Sequence, residues 1–273
     1  MIQADTYTEQ MSRCGYAELP ICCPNWELMK HAAAAFRDVI ENIPEELLLG
    51  TQLYQHGVPN ETPLGFTHKK LCAVEAVRVS DPKWYCHIHP DVVERLNDIA
   101  IAYGEEPMGR FVSLALNLYT EAQHVAVSAI EKISGGTDNL LYKAYCKEGT
   151  APNLILRFLA YEKIPSEDVV SARGHFDKSG GTIPLYESAP GLYIGTSEKN
   201  AVPAGWGRTK SIFMAGCALR ESFGITPGWH FVKEPVKDHI SKKIAREAII
   251  AFIDPIEPFT VSVEKAHTSP KVT

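Results

Sequence analysis

His175-Phe176-Asp177-Lys178-Ser179-Gly180-Gly181-Thr182-Ile183-Pro184-Leu185 is the stretch on which the reading of this chain turns. It sets an imidazole and a carboxylate two residues apart, follows them with a glycine pair, and then opens a run with strand character. The His-x-Asp triplet alone is weak, because ten histidines and 33 acids in 273 residues produce such triplets by chance. A second one, His89-Pro90-Asp91, reads as structural, with Pro90-Asp91 opening a helix and Asp91 as its N-cap. His175 differs: it ends a glycine-containing loop, Ala172-Arg173-Gly174, and leads into a strand starting near Thr182. A further histidine, His230, falls in a later predicted strand.

Outward from this stretch the chain changes character near Pro152. Downstream, β-rich runs of period two are bounded by Gly and Pro: Leu154 to Tyr161, Thr182 to Glu187, Leu192 to Thr196, Ser211 to Leu219, His230 to Val232 and Ala245 to Ile253. Upstream the spacing is helical. Asn25 caps a run carrying Leu28, Ala32, Phe36, Val39 and Ile40 that ends near Asn42, before Pro44. A second helix follows Asp91 and stops at Gly104; a third, the longest, spans about Phe111 to Ile133. The stretch from Gly50 to Pro90 reads as an extended edge segment or as a wall of a site. Helices first and many short strands after argue for helices packed outside a β-sandwich or barrel.

Length and composition bound the function. With 273 residues and 45% hydrophobic content the chain can bury one large core, so a single domain over 1–273 is expected: a helical part to 150, a β part over 151–256 and a tail over 257–273. A net charge of -6 offers no field for a phosphate backbone, which argues against a nucleic-acid partner. The polar start MIQADTYTEQ and the lack of any run of about 18 apolar residues argue against a membrane span and for a cytoplasmic protein. Seven cysteines, an odd number without a CxxC pair, read as reduced thiols.

Two histidines and one carboxylate form the facial set that binds non-haem iron(II), leaving the opposite face for oxygen and substrate. Residual positive charge on such a metal favours chelation by an anionic 2-oxo acid. His175 and Asp177 supply neighbouring ligands, and the third comes from another strand. Both His230 and His239 precede Arg246 at a usable distance, and spacing alone leaves both open.

These residues make the chain resemble the isopenicillin N synthase-like family of iron(II)/2-oxoglutarate-dependent dioxygenases. The family's H-x-D, following Thr and G-L-x-V match His175 to Thr182 and Gly191-Leu192-Tyr193-Ile194. Gly216, Leu219, Gly224 and His230-Phe231-Val232 are similar to its G-D-x-L, N-G and H-R-V elements. Arg246-Glu247-Ala248 resembles its R-x-S, Phe252 to Pro255 its F-x-x-P, and Leu156 to Tyr161 its L-R-x-N-x-Y. The resemblance covers about 153 to 255 and implies a mainly β fold with flanking helices, a double-stranded β-helix or jelly roll. It further implies iron(II) on His175, Asp177 and His230, with Arg246 and Tyr161 holding the distal carboxylate of 2-oxoglutarate. Departures are Ala248 for the family serine, Leu159 for its asparagine and Gly216-Cys217 for its Gly-Asp.

Strand periodicity supports an anion site without the resemblance. Arg246, Ala248, Ile250 and Phe252 share one face of a strand, and Arg157, Leu159 and Tyr161 share a face of another. An arginine on an inward face is costly unless it meets an anion; a buried ion pair with a nearby acid would also meet that need. His87 and His89 read as loop residues near the pocket, Tyr186 and Trp206 as possible substrate contacts or ordinary packing. The expected activity is oxidation of a small-molecule substrate by O2 with release of succinate and CO2, in a monomer or homo-oligomer. Two rivals stand beside it: an iron oxidase of the same fold needing no 2-oxoglutarate, with Arg246 on the substrate's carboxylate, and a jelly-roll protein that binds metal or ligand without turnover.

Overall fold

A computed structural model describes residues 6–54, 63–70, 82–103, 106–147, 150–163, 170–204, 211–233, 240–241 and 243–256. In chain order these form α1 (Tyr7–Cys14), β1 (Ala17–Leu19), α2 (Trp26–Asn42), α3 (Glu45–Leu49), β2 (Gly65–Lys69), β3 (Lys83–Ile88), α4 (Val93–Tyr103), α5 (Met108–Ser134) and α6 (Leu140–Tyr145). There follow β4 (Asn153–Glu162), β5 (Val170–His175), β6 (Gly181–Glu187), β7 (Leu192–Gly195), β8 (Val202–Pro203), β9 (Ser211–Ala215), α7 (Cys217–Phe223), β10 (Trp229–Lys233) and β11 (Ile244–Asp254).

The helices begin and end where local chemistry dictates. Asn25 Oδ1 accepts from the backbone N–H groups of Glu27 and Leu28 at the start of α2, satisfying donors that the first turn leaves orphaned. The long α5 stops at Gly135, whose φ of 76° suits glycine. Before α4 the cap is His89 rather than Asp91: the His89 ring accepts from Asp91 N, and a 3-10 turn, Pro90–Val92, precedes the helix. The side chain that precedes Pro90 reaches the free donors first.

All strand pairs are antiparallel, in a seven-stranded sheet of order β1-β9-β6-β11-β4-β3-β2 and a four-stranded sheet of order β5-β10-β7-β8. The first half of the chain is therefore not helical alone. Its β1 adds to one edge of the larger sheet, and β3 and then β2 extend the other beyond β4; the described part of the stretch from Gly50 to Pro90 thus supplies the edge strand β2 and the inner strand β3, whose Lys83 lines a cavity. Two further differences concern the late strands. The run expected from Ser211 to Leu219 ends at Ala215, and α7 begins at Cys217. His175 ends a strand, β5, rather than a loop.

Alternation in β4 and β11 builds two cores. Phe158 of β4 meets Phe36 of α2 and Phe111 of α5, and both of these meet Phe66 of β2, in one aromatic cluster whose contacting rings have centroids 5.1–5.8 Å apart. Each ring so buried contributes on the order of 2–3 kcal/mol, and the cluster fastens α2 and α5 to the outer face of the larger sheet. The opposite faces of the same strands carry Leu159, Tyr161 and Ala248, which pack with Ala172, Leu192, Ile194, Met214 and Val232. This second core lies between the two sheets and surrounds the site. Six of the seven cysteines are described, and none of them is in a disulfide.

Candidate metal and anion site

The antiparallel pairing of β5 with β10 sets His230 opposite His175. Their ring centroids lie 4.4 Å apart. Beyond His175 the chain leaves the smaller sheet and turns into β6 of the larger one, and Asp177 sits in that turn. Its Oδ1 is 3.5 Å from His175 Nε2 and its Oδ2 3.6 Å from His230 Nε2. One ligand atom from each of the three lies within 4.8 Å of the others, the one such metal-capable group among the described residues.

Each ring is oriented from behind. His175 Nδ1 hydrogen-bonds Arg173 O at 2.7 Å and His230 Nδ1 hydrogen-bonds Gly228 O at 3.2 Å. A carbonyl accepts only from N–H, so both Nδ1 atoms carry a proton and both rings turn Nε2 toward Asp177. Thr182 Oγ1 donates to Asp177 Oδ2 at 2.7 Å. Burial alone would raise the Asp177 carboxyl, but the hydrogen bond from His175, the charge of His230 and the Thr182 hydroxyl hold it well below the usual range. Burial pushes His230 down despite Asp177, whereas the hydrogen bond to Asp177 raises His175. The turn itself is pinned by α7, with Cys217 N donating to Asp177 O and Gly216 N to Gly180 O. A Cβ on Gly216 would lie 1.9 Å from Ser179 O, so only glycine allows this approach.

A cavity of about 590 Å³, counted to its open mouth, adjoins the triad and is lined by His175, Asp177, His230, Tyr161 and Arg246 among others. Both periodic faces read from the sequence open onto it: Arg157, Leu159 and Tyr161 from β4, and Arg246, Ala248, Ile250 and Phe252 from β11. Arg246 pairs with Tyr161 across the strands, and its guanidinium carbon lies 5.3 Å from that ring's centroid. The guanidinium is 1% exposed and partly satisfied: Nη2 meets Glu187 Oε1 at 2.9 Å and Nε donates to Ala189 O at 3.1 Å. Nη1 is buried without a hydrogen-bond partner. The ion pair weighed as the alternative is thus present, and one donor is left over.

Of the other residues weighed, His89 caps a helix and His87 lies in β3, where it contacts Arg157 rather than the triad. His239 and Trp206 fall outside the described residues. Thr182, Glu187 and Lys83 line the cavity with roles that spacing alone did not assign. The Thr182 hydroxyl, five residues after Asp177, was the most visible signal among them.

No protein-family model matches the chain, and no curated protein matches it. Solved structures do. A protein of Caulobacter crescentus assigned to the 2OG-Fe(II) oxygenase family aligns at a TM-score of 0.65 and 16% identity, covering 97% of this chain and 88% of its own. The dioxygenase for auxin oxidation 1 of Arabidopsis thaliana, in its 2-oxoglutarate complex, aligns at 0.62 and 14%, covering 92% and 87%. A Neurospora crassa protein crystallised with alpha-KG and thymine aligns at 0.62 and 17%, covering 92% and 78%. The chain therefore has the mainly β, helix-flanked fold of 2-oxoglutarate and iron(II) oxygenases. No described helix is long and apolar enough to cross a membrane.

Proposed function

We propose that the protein is an iron(II)- and 2-oxoglutarate-dependent dioxygenase, with a jelly-roll core and a small-molecule substrate. One observation carries this: the two-histidine, one-carboxylate cluster shares a cavity with a buried arginine whose Nη1 has no acceptor. The donor set suits a divalent metal that must retain open positions, and the orphaned Arg246 Nη1 suits a carboxylate oxygen.

His175, Asp177 and His230 would hold iron(II), and Arg246 above Tyr161 would take the distal carboxylate of 2-oxoglutarate. Iron(II) with 2-oxoglutarate and O2 supplies oxidative decarboxylation to succinate and CO2, coupled to two-electron oxidation of a substrate C–H bond. The chain's own residues do the rest. Carbonyls of Arg173 and Gly228 fix the imidazole tautomers, and Thr182 keeps Asp177 ionised and aimed. Leu159, Leu192, Met214, Val232 and Ile250 exclude water from the cavity.

A second reading draws on the Arg246–Glu187 pair and on Ala248, which offers no hydroxyl: an oxidase of the same fold that uses O2 without 2-oxoglutarate. Substrate-dependent oxygen uptake measured with and without 2-oxoglutarate, with succinate quantified, separates the two. Uptake that is stoichiometric with succinate supports the dioxygenase; equal uptake without 2-oxoglutarate favours the oxidase. In either case we take the chain to act as one domain in the cytoplasm, as a monomer or homo-oligomer.

A further inference from the structure

The cavity holds two arginines, and their partners differ in charge. Arg246 faces a carboxylate, Glu187, so its charge is balanced within the protein. Arg157, at the opposite end of the lined face of β4, hydrogen-bonds through Nε to His87 Nε2. His87 also meets Pro63 O through Nδ1 at 3.0 Å. A ring that gives its Nδ1 proton to a carbonyl and accepts at Nε2 is neutral, a state its deep burial also favours. The acceptor chosen for Arg157 thus leaves the guanidinium charge unbalanced. Aromatic faces flank it, with its central carbon 4.3 Å from the Phe252 ring centroid and 5.4 Å from that of Tyr85. Among the described residues no hydrogen bond reaches its two terminal nitrogens. The acid that acts on it is Asp177, already engaged by Thr182 and the two histidines.

A guanidinium held by a neutral ring, sandwiched by aromatics and facing a largely apolar cavity, is built to receive an external anion. Its planar fork matches the two oxygens of a carboxylate. Building on the dioxygenase assignment, we infer that Arg157 anchors the primary substrate, and that this substrate is an organic carboxylate with an apolar body. The body would lie along Leu159, Ile250 and Phe252, bringing carbons near the carboxylate toward the triad. Arg246 and Arg157 then divide two carboxylates between them, the cosubstrate's and the substrate's.

The test uses protein loaded anaerobically with iron(II) and 2-oxoglutarate, titrated by calorimetry with phenylacetate and hexanoate and with their neutral amides. The wild type is expected to bind at least one acid tenfold or more tighter than its amide. Arg157→Gln should reduce that ratio to below threefold while changing the 2-oxoglutarate dissociation constant less than threefold. Arg157→Lys, which keeps the charge but not the fork, should give an intermediate ratio. The wild-type comparison needs no variant to fold: equal binding of acids and amides, or no binding of either, overturns the inference. So does a ratio that survives Arg157→Gln. If Arg157→Gln instead weakens 2-oxoglutarate more than tenfold and Arg246→Gln does not, Arg157 is the cosubstrate anchor and the substrate assignment fails. Repeating the titrations on metal-free protein separates the two claims. Failure of the wild type to load iron or 2-oxoglutarate counts against the dioxygenase, whereas the acid preference of the metal-free protein reports on Arg157 alone.

Discussion

Replacing Arg246 by glutamine perturbs two things at once, and the structure separates them. The side chain is 1% exposed and its partner Glu187 is 13% exposed, with 2.9 Å between Nη2 and Oε1. Removing the cation strands a largely buried carboxylate, which costs roughly 3–5 kcal/mol of folding stability. That loss belongs to the fold and says nothing about a ligand. The ligand's share comes from Nη1, the one donor without a partner. A hydrogen bond from it to a carboxylate is worth about 1.5–3 kcal/mol, or roughly ten- to 150-fold in affinity. Combining Arg246→Gln with Glu187→Gln removes both charges and should recover most of the stability but none of the affinity. The assay pairs chemical denaturation with anaerobic calorimetry of 2-oxoglutarate binding to the iron(II) protein. Expected are a destabilised single variant, a near-native double variant, and weakened 2-oxoglutarate in both. Should either variant bind 2-oxoglutarate as tightly as wild type, Arg246 is only an ion-pair partner and the cosubstrate anchor is elsewhere.

Alanine at His175, Asp177 or His230 should abolish stoichiometric iron(II) binding, and Thr182→Val, which removes the hydrogen bond to Asp177, should weaken it about ten- to 100-fold; anaerobic metal titration checks both, and an unaffected Thr182→Val would dismiss the hydroxyl as a positioning group. Gly216→Ala should cost about 3 kcal/mol or more in denaturant unfolding, because its Cβ would meet the rigid carbonyl of Ser179 at 1.9 Å. Glu247, buried beneath α2 and 2.8 Å from Arg37, has its carboxyl pushed up to about 7 by burial, against the pull of Arg37. Between the ordinary glutamate value and 7 the folded state keeps a proton that the unfolded chain has released, so rising pH favours unfolding. Relative to Glu247→Gln, the wild type should lose up to about 3 kcal/mol across that window; parallel stability curves would refute the burial of the charge.

The legible parts of the site were those written in short-range pattern. His175 and Asp177 are two residues apart, and the alternation of Arg157, Leu159 and Tyr161 against Arg246, Ala248 and Ile250 marks two inward faces in the sequence itself. Both faces do line the cavity. What escaped depends on contacts between distant segments. The strand character of β2 and β3 is expressed by pairing with each other and with β4, which no local window contains. His87 read as a loop residue near the pocket, yet it lies in β3, whose pairing with β4 turns it toward Arg157. Glu187 announced nothing in sequence, because its role exists only once β6 lies beside β11. The helix at Cys217 was hidden because the β-prone run before it carries no breaker except Gly216, whose backbone is needed for the turn at Asp177.

The place of β11 between β6 and β4 has a bearing on how the protein is made. It is the last described strand to leave the ribosome, yet it occupies the centre of the larger sheet. Until it arrives, β4 and β6 have no common neighbour, and the inward faces that need Ala248, Ile250 and Phe252 stand open to water. A growing chain of this order holds exposed edges on β4 and β6 until β11 is made, which invites engagement by chaperones and delays completion of the larger sheet. The triad residues are all in place in the nascent polypeptide before Arg246 is added. On the proposed assignment, all three metal ligands therefore precede in synthesis the strand that completes the cavity.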